Sequence, residues 1–221
     1  FPTRRSSDLI FPDSFANDRR ELTEKATRHM LLPDEKSDSN GKILPDRICK
    51  NHLGGTLKGI CENLDYIEKL GINCIYLNPI FEAASYHKYD TIDYFEIDPC
   101  FGNKADLKEL VQQCHKRGIR VILDGVFNHV GRGFYQFQDV LKNRENSRYK
   151  DWFHISFEGN SNYNDGLWYE GWEGNYDLVK LNLGNEEVVQ HILNAVKFWI
   201  DEFDIDGIRL DVAYCLSPEF L

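Results

Sequence analysis

The chain has 221 residues, with 26 Lys and Arg against 36 Asp and Glu, for a formal net charge of −10 at pH 7. That acidity argues against nucleic acid as the main partner, because phosphate binding needs a basic face, while a 42% hydrophobic content suffices for a core. No apolar run approaches the roughly 18 residues of a membrane span, and Arg4-Arg5 leads into no apolar export segment. Cys49, Cys61, Cys74, Cys100, Cys114 and Cys215 show no CxxC spacing, and free thiols suit a reducing compartment. A soluble, cytoplasmic protein without membrane contact is therefore expected.

Phe1 to Asp8 carry no apolar period and are set aside as a leader outside the fold. Leu9-Ile10-Phe11 before Pro12 predicts a first short strand, and Asn17 to Gly55 reads as polar and irregular. Leu57, Ile60, Leu64, Ile67 and Leu70 form the stripe of an amphipathic helix that stops at Gly71. Cys74-Ile75-Tyr76-Leu77 predicts a strand covered on both faces. Asn103 with Asp106 three residues on predicts a capped helix burying Leu107, Leu110, Val111 and Cys114 and ending at Gly118. Val121-Ile122-Leu123 is the next buried strand. A helix capped by Asn185 turns Val188, Ile192, Val196, Trp199 and Phe203 inward, and Gly207 to Val212 reads as a fourth strand.

Strands alternating with helices predict parallel βαβ units. The long step between the third and fourth strands marks an insertion, and twelve aromatic residues fall between positions 134 and 176. Rings there can build a small core of their own or line a site for flat apolar faces. Trp152, Trp168 and Trp172 are the candidates for the second role.

In parallel α/β architectures, reactive groups collect at the carboxyl ends of strands. Asn78 follows the second strand, Asp124, Asn128 and His129 the third, and Arg209 and Asp211 stand on the fourth. Arg209 and Asp211, two apart on a strand, share a face. A guanidinium beside a carboxylate keeps it ionised and oriented, as a nucleophile requires, although a structural ion pair has the same pattern.

Asp124-Gly125-Val126-Phe127-Asn128-His129 resembles the first signature of the α-amylase family, glycoside hydrolase family thirteen, and Gly207-Ile208-Arg209-Leu210-Asp211-Val212-Ala213 resembles the second. Tyr86-His87-Lys88-Tyr89-Asp90, extending to Phe95, and Leu178-Val179-Lys180-Leu181-Asn182 are similar to the neopullulanase and cyclomaltodextrinase branch, from whose usual proline Val179 departs. Four motifs in family order are a specific signal.

The resemblance implies a partial (β/α)8 TIM barrel: strands near 9–12, 74–77, 121–124 and 207–211, barrel segments at 9–129 and 181–221, and a side domain at 130–180. It implies Asp211 as nucleophile, Arg209 as its orienting partner, Tyr89 and His129 as substrate contacts, His87 as a weaker one, and Asp124 and Asn128 as residues shaping the site. No cofactor is expected. Calcium at Asn128, as in classical α-amylases, is the less favoured reading, and the Arg19-Arg20 context speaks against a second metal site at Asn17-Asp18.

The implied activity is retaining hydrolysis or transglycosylation of α-glucans or cyclodextrins. An oligo-1,6-glucosidase or other α-glucosidase of the family is the alternative, with a catalytically inert barrel relative behind it. Glu219, in a terminal Ser-Pro-Glu tail, lacks the surroundings of the family's acid, so the general acid is expected beyond Leu221 and the chain is read as the first half of a longer enzyme. Taken alone it is expected to be inactive and prone to aggregate. The residues do not fix the oligomeric state, a homodimer being one option for the full-length enzyme.

Overall fold

A computed structural model describes residues 6–16 and 53–221. Residues 17–52, which make up nearly all of the predicted irregular stretch and include the Asn17-Asp18 position and Cys49, lie outside the described residues. In chain order the elements are β1 (Ser6–Ile10), α1 (Pro12–Phe15), α2 (Leu57–Glu62), α3 (Leu64–Lys69), β2 (Ile72–Leu77), β3 (Phe81–Ala83), β4 (Thr91–Ile97), α4 (Lys104–Lys116) and β5 (Arg120–Gly125). They continue with β6 (His129–Gly131), α5 (Tyr135–Asn143), β7 (Ile155–Ser156), β8 (Trp168–Tyr169), β9 (Gly171–Trp172), β10 (Asn175–Lys180), α6 (Glu186–Phe203) and β11 (Gly207–Leu210).

The main sheet has the order β1-β2-β5-β11, and every pairing in it is parallel. Its first strand begins three residues inside the segment set aside as a leader: Ser7 pairs with Cys74 and Asp8 with Ile75. The backbone ladder needs no apolar side chains, which is why Ser6, Ser7 and Asp8 gave no hydrophobic signal. Pro12 then opens α1 instead of ending the strand, since a proline at a first helical position forfeits no hydrogen bond.

Side chains alternate across this sheet. Ile10, Ile75, Leu77, Val121 and Leu123 are buried on the face covered by helices. On the other face Leu9 is 59% exposed, and Tyr76, Ile122 and Arg209 are only partly covered. Asp124 and Arg209, paired across β5 and β11, stand on this second face.

Helix α4 forms where the sequence places it. Asn103 and Asp106 make both halves of the capping box, and Leu107, Leu110, Val111 and Cys114 are its buried residues. The helix expected over 57–70 is two helices, because Asn63 (φ −107°, ψ 14°) leaves helical geometry between them. The hydrophobic stripe continues across that break, so periodicity alone does not reveal it. Asn185 caps α6, which buries Val188, Ile192, Ala195, Trp199 and Phe203; Ala195 takes the buried place expected of Val196, which is half-buried.

Trp199 packs α6 against β3 and β4. Its ring stacks on Phe81 at 4.4 Å, and its indole nitrogen donates to the Tyr94 carbonyl at 2.7 Å. Phe81 and Tyr94 belong to the antiparallel ribbon β3-β4, absent from the sequence reading. Residues 130–180 hold α5, the ribbon β7-β8 and most of the three-stranded sheet β6-β10-β9. Phe137, Phe153 and Tyr169 pack edge to face at their centre.

Candidate active site

The sheet register builds the site. Arg209 on β11 pairs directly with Asp124 on β5, so their side chains stand together on the same face. Arg209 Nη1 lies 3.0 Å from Asp124 Oδ1 and 2.7 Å from Asp211 Oδ1, bridging the two carboxylates. Asp211 follows the last residue of β11 and is held by its backbone N–H, which donates to the Gly125 carbonyl at 3.0 Å. The strand stops at Leu210, short of the expected end at 211 or 212, because Val212 turns to φ +42°, a conformation unfavourable for a β-branched residue and often found at functional sites.

Asp124 collects three donors. Besides Arg209, the Tyr89 hydroxyl bonds to Oδ2 at 3.1 Å and the Tyr76 hydroxyl donates to the same oxygen. Asn78 Nδ2 donates to the Tyr89 hydroxyl at 3.0 Å. Burial pushes the Asp124 carboxyl up, while the bonds from Tyr76 and Arg209 pull it back towards ionisation. Burial also works against the Arg209 charge, but Asp124 and Asp211 outweigh it and hold the guanidinium protonated.

His129 is 1% exposed. Its Nδ1 lies 3.2 Å from Asn128 Nδ2, and its Nε2 is buried with no hydrogen-bond partner among the described residues. Burial pushes the imidazole down to about 4, against the opposing pull of the Asp211 carboxylate, so it is neutral at physiological pH. The Lys180-Leu181-Asn182 stretch supports this loop directly. Lys180 pairs with His129 across β10 and β6, and the Leu181 N–H donates to the Asn128 carbonyl at 2.9 Å.

His87 lies beside Tyr89, its Nδ1 accepting from the Tyr89 N–H at 3.1 Å. The loop carrying both comes within reach of β6 because Gly131 has no side chain: a Cβ there would sit 2.3 Å from the Asp90 carbonyl oxygen. The structure thus brings Asp211, Arg209, Asp124, Tyr89 and Asn78 into one connected network, with His87 bonded to its edge. His129 stands beside it with Asn128 behind.

Of the three candidate tryptophans, only Trp172 reaches this region, its ring centroid 5.7 Å from that of His129. Trp152 does not: it is 5% exposed in the core, packed on Tyr149 and His191, with its nitrogen bonded to Glu187 at 3.1 Å. Trp168 is 39% exposed on the β7-β8 ribbon. Glu219 is exposed in the terminal turn.

Two contributors escaped the sequence reading. Tyr76 sits in a run that looks uniformly apolar, yet alternation turns it to the face opposite Ile75 and Leu77. Lys88 lies inside a quoted motif, but its role is set by Asp98, ten residues away: the two are wholly buried, with Nζ 2.7 Å from Oδ2. Among the described residues no cluster of three or more His, Cys, Asp or Glu groups could hold a metal ion, and Cys61, Cys74, Cys100, Cys114 and Cys215 are free thiols. No helix among them is long and apolar enough to cross a membrane.

The chain is 48% identical over 204 residues to an intracellular maltogenic amylase of Bacillus subtilis, an alignment covering 92% of this chain and 32% of that protein. It is 47% identical over 216 residues to a cyclomaltodextrinase of Geobacillus thermopakistaniensis, covering 96% and 34%. Among solved structures, the ligand-free cyclic α-maltosyl-(1→6)-maltose hydrolase of Arthrobacter globiformis superposes with a TM-score of 0.81 at 38% identity, covering 98% of this chain and 46% of that one. The chain therefore spans about a third of the length of the curated relatives it matches. The four-stranded parallel sheet is part of a (β/α)8 barrel of the kind these enzymes share. With the family model for the alpha amylase catalytic domain matching residues 9–220, the chain belongs to the α-amylase family of glycoside hydrolases.

Proposed function

We propose that this chain carries the nucleophile and part of the sugar-binding surface of a retaining enzyme acting on α-linked glucans or cyclodextrins, of the maltogenic amylase, cyclomaltodextrinase or neopullulanase type. The observation that carries the proposal is the Arg209 bridge. At 2.7 Å from Asp211 and 3.0 Å from Asp124, the guanidinium fixes one Asp211 oxygen and leaves the other free to attack.

In the first step that free oxygen attacks the anomeric carbon as the bond to the leaving oxygen breaks, and a general acid protonates the leaving oxygen. In the second, water or a sugar hydroxyl attacks the same carbon and releases Asp211, giving net retention. Tyr89 offers its ring to the sugar face, and the buried His129 Nε2 offers the sugar a hydrogen bond that it lacks within the protein. His87 supports Tyr89 and borders the same sugar. Asp124 and Asn128 shape the site.

The general acid must stand roughly 5 Å from the nucleophile. Asp124 is occupied by three donors, so we assign the acid to residues outside those described here. We assign no metal or redox cofactor to the reaction, and calcium at Asn128 stays the less favoured reading. Residues 130–180 act as a side domain forming one wall of the cleft, with Trp172 facing the sugar. The enzyme works in the cytoplasm, without nucleic acid or membrane partners, and a homodimer is its proposed assembly.

The test uses the protein at the full length its gene encodes, incubated with β-cyclodextrin, maltodextrin and pullulan while the anomeric signals are followed by NMR. Products should appear first in the α configuration, and Asp211→Asn should abolish turnover. Initial β products, or an active Asp211→Asn variant, would refute the assignment.

A further inference from the structure

We propose that Tyr76 is a positioning residue for this reaction, its hydroxyl and its ring together holding the Asp124–Arg209 pair that orients Asp211. The proposal rests on the reading of Asp211 as nucleophile.

The placement follows from register. Tyr76 pairs with Ile122 across β2 and β5, and Asp124 lies two residues further along on the same face, a diagonal that an aromatic side chain spans. Its neighbours Ile75 and Leu77 are fully buried on the opposite face, so Tyr76 is the residue of that strand that reaches the site network.

Two contacts act on two different groups. The hydroxyl donates to Asp124 Oδ2, and the ring lies under the Arg209 guanidinium, with Cζ 5.8 Å from its centroid. Burial pushes the phenol well above its ordinary range, so it remains a donor throughout the working pH range. The carboxylate it holds is also the anchor for the Tyr89 hydroxyl. Without the Tyr76 bond, Asp124 loses one of its three donors and both Arg209 and Tyr89 lose a fixed partner. Hydrogen bonds to charged groups are the strong ones.

Asp124 is faced by Tyr76 from β2, Tyr89 from the loop before β4, Arg209 from β11 and Asp211 beyond it. Removing one donor raises its carboxyl further, and protonation releases Arg209. The acidic limb of kcat/KM should therefore move to higher pH in a Tyr76→Phe variant. A purely structural defect would lower activity equally at every pH.

The experiment compares the wild type, Tyr76→Phe, Tyr76→Leu and Asp211→Asn at full length, measuring kcat, KM, the pH profile and the thermal midpoint. Tyr76→Phe should lose about 10-fold or more in kcat with KM within about 3-fold. Its acidic limb should shift upward and its melting should stay close to wild type. Tyr76→Leu, lacking the ring as well, should lose more. Tyr76→Phe activity within about 2-fold of wild type with an unshifted limb would overturn the proposal, as would a pH-independent loss matched by a lower folded fraction. A wild type without α-glucan activity, or an active Asp211→Asn, would instead overturn the reading of the site itself, and the role of Tyr76 with it.

Discussion

Replacing Lys88 with methionine removes a buried ammonium and keeps most of the aliphatic length. Lys88 and Asp98 are both 0% exposed and paired at 2.7 Å, and Lys88 Nζ also lies 3.4 Å from the Ala83 carbonyl. Breaking a buried pair from one side strands the other charge and costs about 3–5 kcal/mol. Two features offset part of this. Asp98 keeps donors from the Ala83 and Cys100 backbones at 3.2 and 2.9 Å, and the methionine sulfur retains contact near the Phe101 ring, which the ammonium faces at 5.7 Å.

The net expectation for Lys88→Met is about 3 kcal/mol, a large share of the ~5–15 kcal/mol that holds a typical domain folded. Urea denaturation of the full-length protein at pH 7 measures it directly. Lys88→Met with Asp98→Asn should recover at least ~1 kcal/mol of the loss, because no charge is then stranded. A single variant within ~1 kcal/mol of wild type, or a double variant less stable than the single, would refute the reasoning.

Asp211→Asn should reduce kcat by about 10⁴-fold or more with the fold intact, read by steady-state kinetics and circular dichroism. Arg209→Lys should also be severe, since one ammonium cannot reproduce the planar fork beside both carboxylates. His129 supplies a pH dependence. Its native pKa of about 4 lies below the ordinary 6.5, so the unfolded chain binds the extra proton first. Its contribution is complete above pH 6.5 and is lost as pH falls towards 4, by up to about 3 kcal/mol. Urea midpoints at pH 7 and 4.5 should therefore converge in His129→Gln relative to wild type. Dialysis against EDTA should leave activity unchanged, and a loss restored by calcium would give Asn128 a metal role instead.

The sequence carries those parts of the fold whose signals are local. Asn103 and Asp106 announce α4 because both halves of the capping box lie within four residues, and three of the four main-sheet strands are legible as short apolar runs. Ser6 to Asp8 are not, because backbone pairing to β2 holds them. The ribbon β3-β4 is hidden for a related reason: Phe81 and Tyr94 are fixed by Trp199, more than a hundred residues away. At the site, Arg209 and Asp211 are legible from their two-residue spacing, and the motifs name Tyr89 and His129. The tie between Arg209 and Asp124 is a matter of register between strands 85 residues apart, and Tyr76 joins it through the same register. Trp152 shows the converse, a ring that composition offers to a ligand and packing assigns to the core.

The central claim, that Asp211 is the group that bonds to the sugar, is tested most directly by trapping the intermediate. The full-length protein is treated with 5-fluoro-α-glucosyl fluoride, digested, and mapped by mass spectrometry. The account predicts inactivation with the fluoroglucosyl group esterified to Asp211 and no label in Asp211→Asn. A label on a different carboxylate would contradict it.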